Sequence, residues 1–475
     1  MENKDNKVGL IGLISLTVTA VIGGGIFNLM SDMAKTSHIG PIIVALTFSG
    51  IGMALFCISL SQMSRDYPEL EAGIFSFAGK GFGSYVAFNS MIGFWASNFL
   101  GNVAFATFVF SALGYFFPIF GNGQNLASVI GASCCLWLMH FIILRGANFA
   151  SKINTVLTAI KLIPLLIFIV CLIIAFDYNM FSQNFWVGTG SNITLDSVLP
   201  QIRGALASSI WVYLGIEGTI AFSARARNKA DLGKALIVSF TLVTSIYLLV
   251  LVLSFAVMSR PELAGLGKPA MAHVLEEVIG PIGAKIINFG VVVSTLGTWF
   301  ASNMFCGEIC YQAAKSKVMP RFLLKENRHQ APVNGLLLSN SLIQALLLLL
   351  LVSKNAYNFM ALLASGAMLV PYFFVSAAHM KLSFLRNHKR LNSRTIYGLL
   401  SSVFFVFCMW ALGFDYLLLM SILFASFIFV FVIAQKQNQE VIFTKNEMIS
   451  AIIISLLALF TIYLIFKGVI DVANM

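Results

Sequence analysis

Charged side chains are scarce in this sequence of 475 residues: Asp, Glu, Lys and Arg make up 10% of it, whereas hydrophobic residues make up 59%. A soluble domain carries about 25% charged residues. The composition and the long apolar runs predict an all-α polytopic membrane protein. Strands of a membrane barrel are excluded, because they are about 10 residues long and alternate in polarity. The first apolar run has full length and lacks an Ala-x-Ala site, so no cleaved signal is expected.

The chain also lacks the motifs of metal, nucleotide and hydrolytic sites. Its seven cysteines lie in apolar runs without a CxxC pair, and its six histidines are scattered. We therefore expect buried thiols, no metal site and no cofactor. The absence of a Walker loop excludes ATP as the energy source. No Ser/His, paired Asp or HExxH arrangement lies at membrane depth, so an enzyme is not expected.

Apolar runs of about 20 residues mark the predicted transmembrane spans. We predict thirteen, although only residues 413–415 separate the eleventh from the twelfth, which leaves a count of twelve open. The predicted spans cover residues 8–30, 41–63, 84–117, 125–144, 153–175, 198–222, 232–257, 281–313, 333–352, 356–380, 396–413, 415–435 and 448–467. Of the two longest connecting segments, 176–197 and 258–280, the second is expected to fold partly as a re-entrant or surface helix.

Lys and Arg residues are distributed unevenly between the two sides of these spans. With a cytoplasmic N-terminus, 22 of the 30 fall on inner segments, six on outer segments, and Lys161 and Arg203 within spans. Such a bias is typical of cytoplasmic loops. The net charge of +11 therefore sets the topology and does not indicate nucleic-acid binding.

Glycines interrupt two spans, at residues 23–25 of the first and at Gly215 and Gly218 of the sixth. Each glycine costs about 1 kcal/mol relative to alanine in a helix, and loosened backbone at membrane depth must face protein or a cavity. Two broken spans at matching positions indicate a secondary transporter with a five-plus-five inverted repeat. We predict a transport core at 1–385, with repeats at about 8–175 and 198–380, and peripheral helices at 386–475.

The breaks suit the head group of an amino acid. Free amides at the start of a half-helix attract a carboxylate, and free carbonyls at the second break attract an ammonium. The alternative for residues 23–25 is a small-residue face for helix packing.

Charged residues within spans are costly and usually functional. Glu217 lies in the second break, where its alternative role is to accept bonds from backbone amides. Glu308 is expected to carry a proton or to pair with Lys161 or a basic residue of an inner loop. Lys161 is expected to occupy or hold open a cation site beside the first break, the alternative being a lysine that snorkels to the interface.

Several polar and aromatic residues lie near the predicted midplane. Trp211 is predicted to cover the site as a lid, and Trp299 lies at similar depth. Asn98 and Asn102 share one helix face, where they bind ligand or connect helices.

Several sequence blocks resemble the arginine/ornithine antiporters, basic amino-acid exchangers of the amino acid/polyamine/organocation superfamily. The matching blocks are residues 21–27, 100–104, 114–118, 144–146, 210–218, 223–229, 318–320 and 331–334. The resemblance covers nearly the whole chain and implies sodium-independent exchange by alternating access. It also implies that Lys161 occupies the sodium position of other relatives.

The resemblance further implies a set of site residues. It places the substrate carboxylate at Ile22, Gly23, Gly24 and Gly25, and the substrate side chain among Asn102, Trp211, Leu214 and Ser365. It implies a gating or proton-linked role for Glu217. From their places within spans, Lys161, Trp299 and Glu308 are also expected to take part in gating or coupling. One departure is the stretch Ala301, Ser302, Asn303, where relatives tend to carry a tryptophan; the pocket is therefore expected to be roomier or more polar.

We therefore predict an antiporter in a bacterial cell (inner) membrane, exchanging an extracellular basic amino acid for an intracellular metabolic product such as ornithine or an amine. Its expected partners are amino acids and the lipid bilayer, and its oligomeric state is left open. The nearest alternative is a proton-coupled amino-acid symporter. An amino-acid sensor is a further alternative, which would be expected to carry a long regulatory tail.

Overall fold

The computed structural model describes residues 7–70, 73–186, 194–209, 211–351 and 356–470. These ranges are helical, with isolated backbone bridges and no strand. They contain ten helices long and apolar enough to cross a membrane, and two shorter apolar helices, Leu10–Val21 and Val333–Leu349. The predicted all-α polytopic fold is confirmed.

We number the helices in chain order. They are α1 (Leu10–Val21), α2 (Leu29–Ala34), α3 (Ile39–Asp66), α4 (Ile74–Phe82), α5 (Ser84–Leu113), α6 (Leu126–Ile143), α7 (Ala147–Ile174), α8 (Tyr178–Phe185), α9 (Leu195–Ser209), α10 (Gly218–Ala221), α11 (Asp231–Ser254), α12 (Arg260–Gly265), α13 (Ala270–Ile279), α14 (Pro281–Lys315), α15 (Val333–Leu349), α16 (Ala356–Arg386), α17 (Ser393–Leu412), α18 (Phe414–Ser426), α19 (Ile428–Asn438) and α20 (Lys445–Phe466).

Helices α5, α14 and α16 form the interior of the protein. In each, 72% of the most apolar window is buried within the protein, against 17% for α20. A helix as apolar and as exposed as α20 must face lipid, since water would not tolerate it. The interior helices are therefore the ones that can line a central site, while the boundaries of the inverted repeats and of the peripheral region stay a prediction.

One face of the protein, which we call the N-terminal face, gathers the N-terminus and many helix ends. The amide of Val8 donates to the Arg225 carbonyl at 2.8 Å, and Lys229 donates to the Pro68 carbonyl at 2.7 Å. Lys381 donates to the carbonyl of Gly81 at 2.7 Å. Basic residues that the charge bias assigned to one side thus lie together.

Contacts at the N-terminal face show how often the chain crosses the membrane between α17 and α19. Gly413, with φ of 104°, separates α17 from α18. At the N-terminal face, Arg394 at the start of α17 pairs with Asp66, and Asn438 at the end of α19 accepts a bond from Arg321. The chain therefore leaves this face in α17 and returns to it in α18 and α19, which makes two crossings and supports a count of thirteen.

Short helices occur outside the predicted spans. The segment 258–280, which was expected to fold partly as a helix, contains α12 and α13. Helix α4 was not predicted, because its nine residues are too few for a transmembrane span. It nevertheless packs into the protein, since Phe75 and Phe77 are buried.

Candidate functional site

The first span is broken at its glycines. Helix α1 ends at Val21, a 3-10 turn covers Gly25–Phe27, and α2 begins at Leu29. A Cβ on Gly24 would lie 2.2 Å from the ring of Phe108, whereas a Cβ on Gly25 would meet nothing within 4 Å. The two glycines therefore differ. Gly24 permits close helix packing, which was the alternative interpretation of residues 23–25, whereas Gly25 is exposed at the break.

Lys161 holds the carbonyls at the end of α1. Its side chain is 0% exposed, and Nζ donates to the Thr19 carbonyl at 3.1 Å, to the Ile22 carbonyl, and to Thr298 Oγ1 at 3.2 Å. A snorkelling lysine would reach an interface, so that interpretation does not fit. The ammonium instead lies at the C-terminal end of a half-helix, where the helix dipole favours a cation.

Hydroxyl groups bind the remaining carbonyls of the first break. Tyr247 donates to the Val21 carbonyl at 3.1 Å, and Ser294 lies within hydrogen-bonding distance of the carbonyls of Ile22 and Gly23, at 3.3 Å and 3.4 Å. By contrast, none of the described residues accepts a bond from the amides of residues 24–26. At this break the backbone N–H groups are therefore available to a ligand, whereas the backbone carbonyls already accept hydrogen bonds.

The sixth span is broken opposite the first. Helix α9 ends at Ser209, a 3-10 turn covers Trp211–Tyr213, and α10 begins at Gly218. Gly215 has φ of 97°, and a Cβ there would lie 2.9 Å from the carbonyl carbon and oxygen of Ala20. The two breaks thus meet through backbone. Residue 210 and the Trp211 side chain lie outside the described part of the chain.

Glu217 is 3% exposed and lies within the second break. Its Oε2 accepts a hydrogen bond from the hydroxyl of Tyr372 on α16. Tyr372 is itself 0% exposed, and its ring centroid lies 4.5 Å from that of Phe56 of α3, with the two rings tilted by 46°. The carboxylate therefore connects a broken span to α16, so a change in its charge would affect the contact between them.

A cavity of about 550 Å³, which we call the central cavity, lies between the two breaks. Its size falls in the range of small-molecule sites. The described residues that line it are Ala20, Val21, Gly23, Gly24, Gly25, Asn28, Leu29, Asp32, Ser97, Asn98, Gly101, Ala104, Phe105, Ser208, Val212, Leu214, Gly215, Glu217, Tyr247, Lys268, Thr298, Ser302, Phe305, Leu362, Ala364, Ser365 and Met368. Because the half-buried Asp32 and the exposed Lys268 line one end of it, the cavity opens away from the N-terminal face.

The predicted site residues fall into three groups within the described part of the chain. The cavity is lined by residues 23–25, Leu214, Glu217 and Ser365. Buried behind its walls are Ile22, Asn102, Lys161 and Trp299, each 0% exposed. Glu308 lies apart from the cavity, at the N-terminal face.

At that face a second cluster, which we call the inner closure, joins Val8, Arg225, Glu308 and Glu326. Arg225 Nε donates to Glu308 at 3.1 Å, and its Nη2 donates to Glu326 at 2.9 Å. The side chains of Arg225 and Glu308 are 14% and 4% exposed. Burial lowers the pKa of Arg225, but the two carboxylates outweigh it and raise the pKa above its usual value. The structure pairs Glu308 with Arg225, a basic loop residue, which is one of the roles expected for it.

Replacing Arg225 by alanine is expected to weaken the inner closure. Breaking a buried pair costs about 3–5 kcal/mol, because the remaining charge is left uncompensated. We expect a lower thermal midpoint and slower exchange in vesicles, with partial recovery in the swap Arg225→Glu with Glu308→Arg. The control is Lys317→Ala, which removes an exposed pair with Glu440 and should change neither quantity. Exchange at the wild-type rate in Arg225→Ala would contradict this role.

The structure adds residues that sequence reasoning did not select. Ser294, Thr298 and Ser302 follow one another at intervals of four on α14 and face the first break and the cavity. Small hydroxyl residues with this helical spacing were a detectable signal, since residues four apart share a face. Tyr372 offered no such signal, because its partner is 155 positions away.

Comparisons with known proteins agree with this architecture. A family model described as amino acid permease matches residues 8–460. Arginine/ornithine antiporters of Pseudomonas aeruginosa and Latilactobacillus sakei are 36% and 37% identical to the chain; the alignments cover 98% of the chain and 99% and 98% of the relatives. An arginine/agmatine antiporter of Chlamydia abortus is 34% identical, with 96% of each covered.

A solved structure shares the fold. It is the substrate-bound, outward-open state of a Na+-coupled sialic acid symporter, with a TM-score of 0.53 and 11% identity. The match covers 86% of this chain and 90% of that one. From the match of the family model and the full-length relatives, we conclude that this chain is a multi-pass membrane protein that belongs to the amino acid permease family.

Proposed function

We propose that this protein is a secondary amino-acid antiporter. It exchanges an extracellular basic amino acid for an intracellular metabolic product, such as ornithine or an amine, by alternating access. The observation that carries the proposal is the meeting of two broken spans at a cavity that opens to one face while the inner closure seals the other. Relatives named arginine/ornithine and arginine/agmatine antiporters support exchange and a basic substrate.

The amides of residues 24–26 bind the substrate carboxylate. Support comes from the exposure of Gly25 and from the occupied carbonyls, which leave donors rather than acceptors at this break. Ile22 acts indirectly, because its carbonyl is held by Lys161. An ammonium group of the substrate finds carbonyls at the second break, near Leu214 and Gly215.

Leu214, Ser365 and Asn102 take roles that follow from their positions. Leu214 and Ser365 contact the substrate side chain, and Asn102 supports that wall from behind. The role of Trp211 as a lid rests on the sequence alone, because its side chain lies outside the described residues. Glu217 couples substrate or proton to movement of the sixth span, and Trp299 packs behind the first break. Glu308 acts in the inner closure, so its gating role is at the cytoplasmic end of the path.

The N-terminal face is cytoplasmic, in the inner membrane of a bacterium. The support is the gathering of basic residues at this face, among them Arg225, Lys229, Arg321, Lys381 and Arg394, since cytoplasmic loops are enriched in Lys and Arg. In this orientation the central cavity opens to the outside. The transport core at 1–385 and the peripheral helices at 386–475 belong to the same proposal.

Reconstituted protein separates exchange from symport. Vesicles preloaded with L-ornithine are expected to accumulate labelled L-arginine, whereas empty vesicles with a pH gradient are not. The preloaded vesicles should lose ornithine at the rate at which they gain arginine. Uptake into empty vesicles that depends on the pH gradient would contradict antiport and favour the proton-coupled symporter.

A further inference from the structure

The wall of the central cavity formed by α5, α14 and α16 carries no charged residue among those described. Its lining is largely apolar, and its described polar residues are Ser97, Asn98, Thr298, Ser302 and Ser365. The acidic and basic residues found in the described lining are Asp32, Glu217 and Lys268, which come from the two broken spans and a loop. A substrate side chain that reaches this wall therefore meets neutral dipoles and no carboxylate.

Asn98 and Ser302 form the centre of this wall. Ser302 Oγ donates to Asn98, lying 3.0 Å from Oδ1 and 3.2 Å from the backbone carbonyl oxygen, and it accepts a bond from Asn102 Nδ2 at 3.0 Å. Asn98 Nδ2 donates to the carbonyl of Phe94 at 2.8 Å. Asn102 Oδ1 is buried without a partner among the described residues. Asn102 is thus a positioning residue that holds Ser302 against Asn98.

These contacts leave Asn98, which lines the cavity, with one N–H hydrogen and one oxygen lone pair that no described protein group takes up. An asparagine amide has two N–H hydrogens and two lone pairs on its oxygen; one hydrogen goes to Phe94 and one lone pair to Ser302. The remaining pair complements a carbamoyl group, which likewise offers a carbonyl oxygen and N–H hydrogens. A guanidinium offers donors alone and so uses only the lone pair.

The absence of charge at this wall also affects discrimination. A carboxylate that binds a guanidinium would reject an uncharged analogue, because it would be left buried and unpaired. An amide presents no such penalty, since both of its remaining groups find partners on a carbamoyl group. The wall therefore selects for hydrogen-bonding pattern and length more than for charge.

We propose that Asn98, held by Ser302, reads the end of the substrate side chain, and that the cavity accepts amino acids ending in an uncharged carbamoyl group as well as basic ones. This inference rests on the proposed antiport and adds a substrate class to it. It also gives the exchange an electrical consequence. Exchange of a cationic amino acid for an uncharged one moves one positive charge per cycle, whereas exchange of two cations moves none.

Competition in preloaded vesicles tests the substrate class. The probes are L-arginine, its carbamoyl analogue L-citrulline, and L-norleucine, which has an apolar side chain. Citrulline is expected to compete at least about tenfold better than norleucine, since a site that pairs polar groups rejects an analogue without them. Arginine uptake against internal citrulline should also accelerate under an inside-negative potential, and arginine uptake against internal ornithine should not.

Two variants of Asn98 assign the selection to this residue. Asn98→Asp removes the donor and adds a charge, so the preference for arginine over citrulline is expected to rise by about tenfold or more, as for hydrogen bonds to charged groups. Asn98→Leu should abolish the advantage of citrulline over norleucine. If Asn98 had a purely structural role, both variants would instead weaken the binding of all three probes alike. Asn446→Asp, which places the same charge on an exposed position of α20, should leave the ratios unchanged.

The outcomes distinguish this inference from the proposed function. Exchange of arginine with citrulline no better than norleucine overturns the inference and leaves antiport intact. Unchanged ratios in both Asn98 variants also overturn it, even if citrulline is a substrate. A failure of every amino acid to exchange overturns antiport and the inference together.

Discussion

Gly215→Ala is expected to abolish exchange while the protein still folds and inserts into the membrane. Gly215 has φ of 97°, a conformation that costs an L-residue about 1–2 kcal/mol. In addition, the new Cβ would lie 2.9 Å from the carbonyl atoms of Ala20. The neighbour is backbone of the first span and cannot rotate away, so the two breaks must separate. Their separation would pull apart the two ends of the proposed site for the head group of the substrate.

Two glycine variants serve as controls for this prediction. Gly413 has φ of 104° but nothing within 4 Å of an added Cβ, so Gly413→Ala carries the backbone strain without the collision. Gly280, with φ of 74°, likewise has nothing within 4 Å of an added Cβ. Both Gly413→Ala and Gly280→Ala should retain measurable arginine/ornithine exchange and normal expression. If Gly215→Ala exchanges as fast as Gly413→Ala, the contact between the breaks is not needed for transport.

The breaks could be predicted because their cause is local. Consecutive glycines within an apolar span are unfavourable whatever surrounds them, and membrane depth leaves few ways to compensate. The same holds for the positions of most spans, which follow from length and hydropathy. The separation of α17 from α18 was ambiguous in the sequence, because three residues suffice for a turn only if the positive φ of Gly413 is available.

Partners within the fold could not be predicted in the same way. Arg225 and Glu308 are 83 positions apart, and Tyr372 and Glu217 are 155 apart. Nothing local in either sequence segment identifies the partner, since many basic and hydroxyl residues lie within reach of an unfolded chain. The sequence could state that Glu308 needs a partner, because a buried charge without one is costly, but only the packing of the helices selects Arg225.

The asparagines of α5 show what helix spacing alone cannot predict. Asn98 and Asn102 share a helix face, so sequence spacing treats them alike. In the structure Asn98 lines the cavity, whereas Asn102 is 0% exposed and bonds to Ser302. The difference arises from the approach of α14, which covers one residue and leaves the other open. Helix periodicity predicts a face, but the neighbour decides which residue on it meets the substrate.

Lys161→Met is expected to reduce exchange by about a hundredfold or more, because each hydrogen bond from a charged group contributes about 1.5–3 kcal/mol. Methionine matches the length of lysine but donates nothing to the carbonyls of Thr19 and Ile22. Thr298 still donates to Thr19 at 2.8 Å, so the greater loss falls on Ile22, next to the glycines. The end of α1 then becomes more negative and less fixed, next to the amides proposed to bind the substrate.

The lysine variant needs a control for loss of charge alone. Lys152→Met removes an exposed lysine from the same helix, α7, and should exchange normally. Lys161→Met should also lower the thermal midpoint in detergent, whereas Lys152→Met should not, because only Lys161 has buried partners. Wild-type exchange in Lys161→Met would mean that the hydroxyls of Thr298, Ser294 and Tyr247 suffice to hold the break. A lower thermal midpoint with wild-type exchange would mean that Lys161 stabilises the fold without shaping the site.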